Sequence, residues 1–187
     1  MAVLNPASVP LSLYIHMPWC VRKCPYCDFN SHAVPDGALS AELEQTYLKA
    51  LVADFETQVE MAQGRSIHSV FIGGGTPSLI SAKGYAWLFE QLKSLLNFED
   101  DCEITLEANP GTLEHDPFAG YLEAGINRLS IGVQTFNTDH LQKLGRIHSA
   151  NNAMDAIEQA RRAGFKRVNV DLMHGLPEQT LEQALYD

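Results

Sequence analysis

Three of the four cysteines in this 187-residue chain fall within "CVRKCPYCDF", residues 20–29, as Cys20, Cys24 and Cys27. Thiolates spaced by four and three residues sit on one small loop, and without a secretory apolar region before them they read as metal or redox chemistry in a reducing compartment. A structural zinc ion takes four ligands, so His16 or His32 would have to complete the set, and no second pair of close cysteines follows. A ferredoxin-type cluster takes four cysteines. A [4Fe–4S] cluster bound through three of its irons, with the fourth open to an outside ligand, needs only the three present. The spacing favours that reading, with a zinc-bound structural or interaction module as the alternative of another class and a set of free thiols behind both. Cys102, far along the chain, reads as an ordinary buried cysteine.

The loop follows an alternating segment, "LSLYIH", and precedes a long stretch in which Leu43, Tyr47, Leu51, Phe55 and Val59 recur every four residues, as on one side of a helix. "SVFIGGGTP" is a short strand running into a glycine turn. Tyr85, Leu88, Phe89, Leu92, Leu95 and Leu96 then mark a second amphipathic helix. "EITLEANPG" is the third strand, with a short helix over about 114–124. "NRLSIGVQTF" is the fourth, with helices near 137–143 and 149–163, and "FKRVNVDLMHGLP" is the fifth, leading into a helix at "EQTLEQALYD". Alternating strand and helix predict a parallel sheet with right-handed crossovers.

Strand residues alternate faces, and here the faces differ in kind. One carries Leu11, Leu13 and Ile15; Ile104 and Leu106; Leu129, Ile131 and Val133; Val168, Val170 and Leu172. The other carries Ser12, Tyr14 and His16; Thr105, Glu107 and Asn109; Ser130, Gly132 and Gln134; Asn169 and Asp171. A sheet covered on both sides by helices is apolar on both. A polar second face predicts a sheet curled into a partial barrel, with helices outside and a wet lumen; only "VFI" in the second strand lacks the alternation. A closed eight-stranded barrel takes about 250 residues. Five units therefore make an open arc, and the chain is expected to be a fragment of a longer protein or a short member of its class. Residues 1–10 read as an N-terminal extension and 11–187 as the core.

Composition excludes several classes. The N-terminus has no basic region and is broken by Pro6 and Pro10, so it is expected to be neither signal peptide nor anchor. No apolar run reaches the roughly 20 residues of a membrane helix, and the expected location is the cytoplasm, without stable membrane insertion. With 13 basic against 23 acidic residues, a net charge of -10 opposes nucleic-acid binding.

The three-cysteine loop after a first strand, Tyr26 before the last cysteine, and "GGGTP" after the second strand resemble the radical S-adenosylmethionine superfamily. "YIHMPWC", "FIGGGTP", "EANPG", "SIGVQTF", "LGRIH" and "DLMHGLP" narrow the resemblance to the oxygen-independent coproporphyrinogen III oxidase family. The resemblance covers the chain from Tyr14 to about Pro177. It implies an α/β fold, a partial (β/α)6 barrel here truncated after about five units, in which S-adenosylmethionine chelates the open iron. The oxidases carry a further cysteine two places after the third. This chain has Phe29 there and is similar to the heme-chaperone branch through "CDFNSH".

Residue by residue, the resemblance assigns Cys20, Cys24 and Cys27 to the cluster, and Tyr14, Tyr26, Gly74, Gly75, Thr76, Glu107, Gln134, Arg146 and Asp171 to the cofactor. Each has a physical reason. The Tyr14 hydroxyl is on the inward face, glycines expose backbone without side-chain obstruction, carboxylates accept from an ammonium or ribose hydroxyls, and a guanidinium fork matches a carboxylate. The implied function is a heme chaperone that binds heme as cargo and passes it to an acceptor protein, served by an electron donor. The alternative is an enzyme of the same fold that oxidatively decarboxylates the propionates of a porphyrinogen.

Overall fold

The structure is a computed structural model and describes residues 5, 8–34, 38–111 and 116–187. Most of the N-terminal extension, and the start of the helix expected from about 114, lie outside the described residues. Strand β1 (Leu11–Met17) leads into a short parallel pair, β2 (Trp19–Cys20) and β3 (His32–Ala33), that brackets the cysteine loop. The chain continues through α1 (Ala41–Gln58), β4 (Ile67–Gly74), α2 (Ala82–Leu95), β5 (Phe98–Ala108) and α3 (Phe118–Glu123). It then runs through β6 (Arg128–Gln134), α4 (Thr138–Lys143), α5 (Ala150–Arg162), β7 (Arg167–Leu172) and α6 (Leu181–Tyr186). No described helix is long and apolar enough to cross a membrane.

The five-stranded sheet is parallel throughout, in the order β1-β4-β5-β6-β7. Each strand joins the one before it, so the sheet grows in one direction, as a barrel does, with no reversal of strand order as in a doubly wound fold. Register turns the sequence parity into rows. Ile15, Ile72, Leu106, Leu129 and Val168 are successive partners across all five strands, and Ile72, Leu106 and Leu129 are fully buried. Each fully buried side chain of this kind contributes roughly 1.5–3 kcal/mol.

The second strand does alternate in space. A register shift near its start places Phe71 opposite Tyr14 on the lumen face, where the rings stack with centroids 6.4 Å apart, while Val70 and Ile72 face the helices. The lumen row through Tyr14, Phe71, Thr105, Arg128 and Arg167 is therefore mixed rather than uniformly polar.

Helix α2 starts on Ser81, whose Oγ accepts from the Gly84 N–H, and buries Tyr85, Leu88, Phe89 and Leu92. On α1 the buried positions are Leu48 and Phe55; Leu43, expected in that stripe, lies in the first turn and is exposed. Strand β5 begins earlier than the sequence pattern indicates, at Phe98, so that Cys102 lies within it, buried.

Asn127 joins β5 to the start of β6. Its Oδ1 accepts from the Ile104 N–H at 2.9 Å and its Nδ2 donates to the Cys102 carbonyl at 2.9 Å. Asn127→Ala leaves both backbone groups without that partner and is expected to lower stability by about 2 kcal/mol. Asn127→Asp keeps the acceptor for Ile104 N–H but sets a second acceptor oxygen against the Cys102 carbonyl, so it should be destabilised as well, as urea denaturation midpoints will show.

Candidate cofactor site

The cysteine loop springs from the C-terminal end of β1, the end at which parallel α/β barrels carry their chemistry. Its base is tied by His32 N–H to the Pro18 carbonyl (2.7 Å) and Val34 N–H to the Cys20 carbonyl (2.9 Å). Inside it, Cys27 N–H donates to the Cys24 carbonyl at 3.1 Å, and the Lys23 ammonium donates to the Phe29 carbonyl at 3.0 Å. The glycine turn after β4 runs alongside. Gly75 N–H donates to the Met17 carbonyl and Thr76 N–H to the Trp19 carbonyl, both at 2.6 Å.

Between loop and turn lies a cleft of about 240 Å³, lined by all three cysteines and by Tyr26, Gly74, Gly75, Thr76, Glu107, Gln134, Arg146 and Asp171. Eleven of the twelve residues singled out in the sequence thus meet on one cleft. Tyr14 is the exception. It is 54% exposed, its hydroxyl pairs with His16 Nδ1 at 3.0 Å, and it borders a neighbouring cavity with Tyr47. Arg22, Phe29, Asn109, Ser130 and Gly132 also line the cleft. Strand parity already placed Asn109, Ser130 and Gly132 on the inward face; for Arg22 no sequence signal exists beyond its place in the loop.

The polar groups are held in defined states. Glu107 Oε2 accepts from the Gly74 N–H at 3.2 Å. Burial raises its carboxyl above the usual range and the Asp171 charge adds to this, while the Gly74 bond and His16 pull the other way. Asp171 accepts from Ser130 Oγ at 2.9 Å and from Asn169 Nδ2 at 2.7 Å. Gln134 sits at the end of β6 with φ of 70°, a left-handed conformation that costs a non-glycine residue about 1–2 kcal/mol and recurs at functional sites. Its carbonyl accepts from Met173 N–H at 2.8 Å. Gly132 makes room beside it: a Cβ there would lie 3.0 Å from Gln134 Nε2 and 3.1 Å from Asn109 Oδ1.

His148 is buried behind Arg146, its Nε2 donating to the Val133 carbonyl at 3.1 Å. Burial, then the Arg146 charge, lowers its pKa to about 4, against the single opposing bond. An unfolded histidine takes up its proton near pH 6.5, so the unfolded state binds more protons between pH 6.5 and 4. Stability should therefore fall as pH drops through that window, with a slope of at most about 1.4 kcal/mol per pH unit from this residue. Urea midpoints at pH 7 and pH 5 should converge in His148→Gln relative to the parent.

The site suits the group implied by its cysteines. The thiols are free. Among the described residues no three His, Cys, Asp or Glu side chains are grouped to hold a single ion. A cluster meets its ligands at separate irons and does not require that grouping. His16, the candidate fourth ligand for zinc, has both ring nitrogens engaged, with Tyr14 and with the Asn30 carbonyl at 2.8 Å. The N–H groups of Gly74, Gly75 and Thr76 are all used internally and the Thr76 carbonyl accepts from Leu79 N–H at 3.0 Å, so a main-chain contact from this turn to an ammonium would come from a glycine carbonyl oxygen. Arg146 lines the cleft, and its Nε is buried without a hydrogen-bond partner among the described residues.

This one-directional parallel sheet, with three thiols at its C-terminal edge, belongs to a defined class. The signature of the Radical SAM superfamily matches residues 14–186, and the chain is a member of that superfamily. Its relatives are more particular. It is 55% identical to the heme chaperone HemW of Haemophilus influenzae over 97% of this chain and 48% of that protein. It is 51% identical to heme chaperone HemW of Escherichia coli, over 95% and 46%. Among solved structures it matches the coproporphyrinogen III oxidase HemN of Escherichia coli, a radical SAM enzyme, with a TM-score of 0.82 and 31% identity over 97% of this chain and 41% of that one. The chain spans about half the length of the curated relatives it matches.

Proposed function

We propose that this chain is the cluster- and S-adenosylmethionine-binding part of a heme chaperone. The observation that carries the reading is the gathering of three free thiols, two carboxylates, two amides and two guanidinium groups on one cleft, with Phe29 beyond the third cysteine. In this reading Cys20, Cys24 and Cys27 hold a [4Fe–4S] cluster. When bound, cluster and S-adenosylmethionine together supply one-electron chemistry. The protein's part is to bind and orient. Asp171, fixed by Ser130 and Asn169, accepts from ribose hydroxyls. The turn carbonyls and Glu107 face the ligand's cationic groups, whose presence favours the ionised Glu107 that burial alone opposes. Gln134 offers a donor and an acceptor, Arg146 a guanidinium for a carboxylate, and Tyr26 an aromatic wall. Tyr14 is assigned to the same site through His16 and its contact with the loop at Asn30.

Heme is the cargo, and an acceptor protein and an electron donor complete the set of partners. The reducing cytoplasm is the setting that keeps the thiols available. The structural likeness to HemN favours a second reading, oxidative decarboxylation of a porphyrinogen. The two separate in one experiment on the full-length protein, reconstituted anaerobically and supplied with reductant, S-adenosylmethionine and either heme or coproporphyrinogen. Stable heme binding followed by transfer to an apo-hemoprotein, with no protoporphyrinogen formed, is the expected result. Protoporphyrinogen production would overturn the chaperone reading.

A further inference from the structure

Arg146 does more in this structure than offer a donor to a ligand. Its Nη2 donates to Asn109 Oδ1 and to the Gly132 carbonyl, both at 2.6 Å, and its Nη1 lies 3.7 Å from Cys24 Sγ in donor geometry. Asn109, at the end of β5, extends the connection by donating from Nδ2 to Thr76 Oγ1 at 3.1 Å. The glycine turn, the third barrel strand, the fourth and the cysteine loop thus share one chain of hydrogen bonds with the guanidinium at its centre.

A second contact brings the same two segments together. Gly145 has φ of 68°, and a Cβ on it would lie 2.7 Å from Pro25 Cδ. Residues 145–146 therefore press against residues 24–25, and no side chain fits between. The sequence reading placed Arg146 opposite a cofactor carboxylate; the structure adds a sulfur contact that exists without any ligand.

We propose that Arg146, anchored by Asn109 and Gly132, is a positioning residue for the cysteine loop that also biases the electron affinity of the cluster through Cys24. The inference rests on the assignment of Cys24 as a cluster ligand. A cation and an N–H donor at a thiolate sulfur draw off negative charge. That stabilises the more negative, reduced cluster, since hydrogen bonds to the sulfurs and net charge set cluster potentials. Anchoring matters because a free arginine at a wet cleft would be hydrated and screened, whereas two 2.6 Å bonds hold this one in place.

The test is a potentiometric titration of the full-length, anaerobically reconstituted protein, followed by electron paramagnetic resonance, with S-adenosylmethionine left out so that ligand binding by Arg146 plays no part. Arg146→Gln should shift the midpoint to more negative values by at least a tenfold change in the ratio of reduced to oxidised cluster at fixed potential, about 59 mV for one electron. Arg146→Lys, which keeps the charge and loses the fork, should recover part of the shift. Asn109→Ala should move the midpoint in the same direction by a smaller amount, and it serves as the variant to read if Arg146→Gln assembles no cluster. Unchanged midpoints in iron-replete Arg146→Gln or, failing that, iron-replete Asn109→Ala overturn the proposal. A parent protein that takes up no iron and sulfide overturns the cluster assignment itself, a different and separately visible failure.

Discussion

Cys24→Ser, and equally Cys20→Ser or Cys27→Ser, is expected to remove the iron and sulfide that the anaerobically reconstituted protein takes up. The parent should hold about four of each per chain, as a [4Fe–4S] centre contains. Each variant should hold less than about one, and the brown absorption should disappear with it. A cluster bound through three irons has no spare protein ligand: loss of one thiolate leaves two, and the fourth position already belongs to an exogenous group. The control is Cys102→Ser. Its sulfur is buried in β5, on the helix-facing side of the sheet away from the cleft, and burial pushes its thiol pKa upward. That variant should keep its iron and lose about 1 kcal/mol of stability, the cost of placing a hydroxyl in an apolar setting. Equal iron loss in all four variants would show that uptake does not depend on the loop; full iron content in any one of the first three would remove that cysteine from the ligand set.

The cleft was legible in the sequence because strand parity is a local property. Glu107, Gln134 and Asp171 are inward by alternation alone, and the structure brings them to one wall. Parity gives the side of a residue and not its height along the barrel. Height depends on register between strands, which is set by long-range packing and shifts by whole residues at bulges. Tyr14 shows the consequence. Its row runs through Phe71, Thr105 and Arg128, while the cleft is lined one layer higher, where Glu107 pairs with Ser130. The bulge between Leu11 and Ser12 that fixes this offset leaves no mark in the sequence pattern.

The same distinction explains Phe71 and Leu43. An apolar triplet such as Val70, Phe71, Ile72 does not disclose which member faces inward until its neighbour Tyr14 is in place. A four-residue repeat drifts around a helix of 3.6 residues per turn, so the stripe that begins at Leu43 has left the buried face there, and Leu48 and Phe55 mark its centre. Asn109 and Arg146 are 37 residues apart, and their pairing depends on loops whose course no periodicity records.

Gly75→Ala is expected to be the most disruptive single-methyl change in the site. The backbone of the glycine turn passes so close to the segment leading into the cysteine loop that a Cβ at Gly75 would strike the Trp19 carbonyl, with Trp19 C at 2.7 Å and Trp19 N at 2.9 Å. These obstacles are main-chain atoms that also carry the Thr76 N–H bond, so neither side can swing away as a flexible side chain would. Overpacking against a rigid neighbour costs about 1–3 kcal/mol and occasionally more, and here relief requires the bonds from Gly75 to Met17 and from Thr76 to Trp19 to lengthen together. The predicted outcome is a loss of about 3 kcal/mol in urea unfolding, with cluster uptake impaired in whatever protein remains folded because Cys20 directly follows Trp19. Gly125→Ala supplies the comparison. It has φ of 105° and nothing within 4 Å of the new Cβ, so it pays backbone strain alone. Of the two it should be the milder and should leave iron uptake at the parent level. Should Gly75→Ala prove no worse than Gly125→Ala, the close crossing of turn and loop is not what holds the cysteines in place.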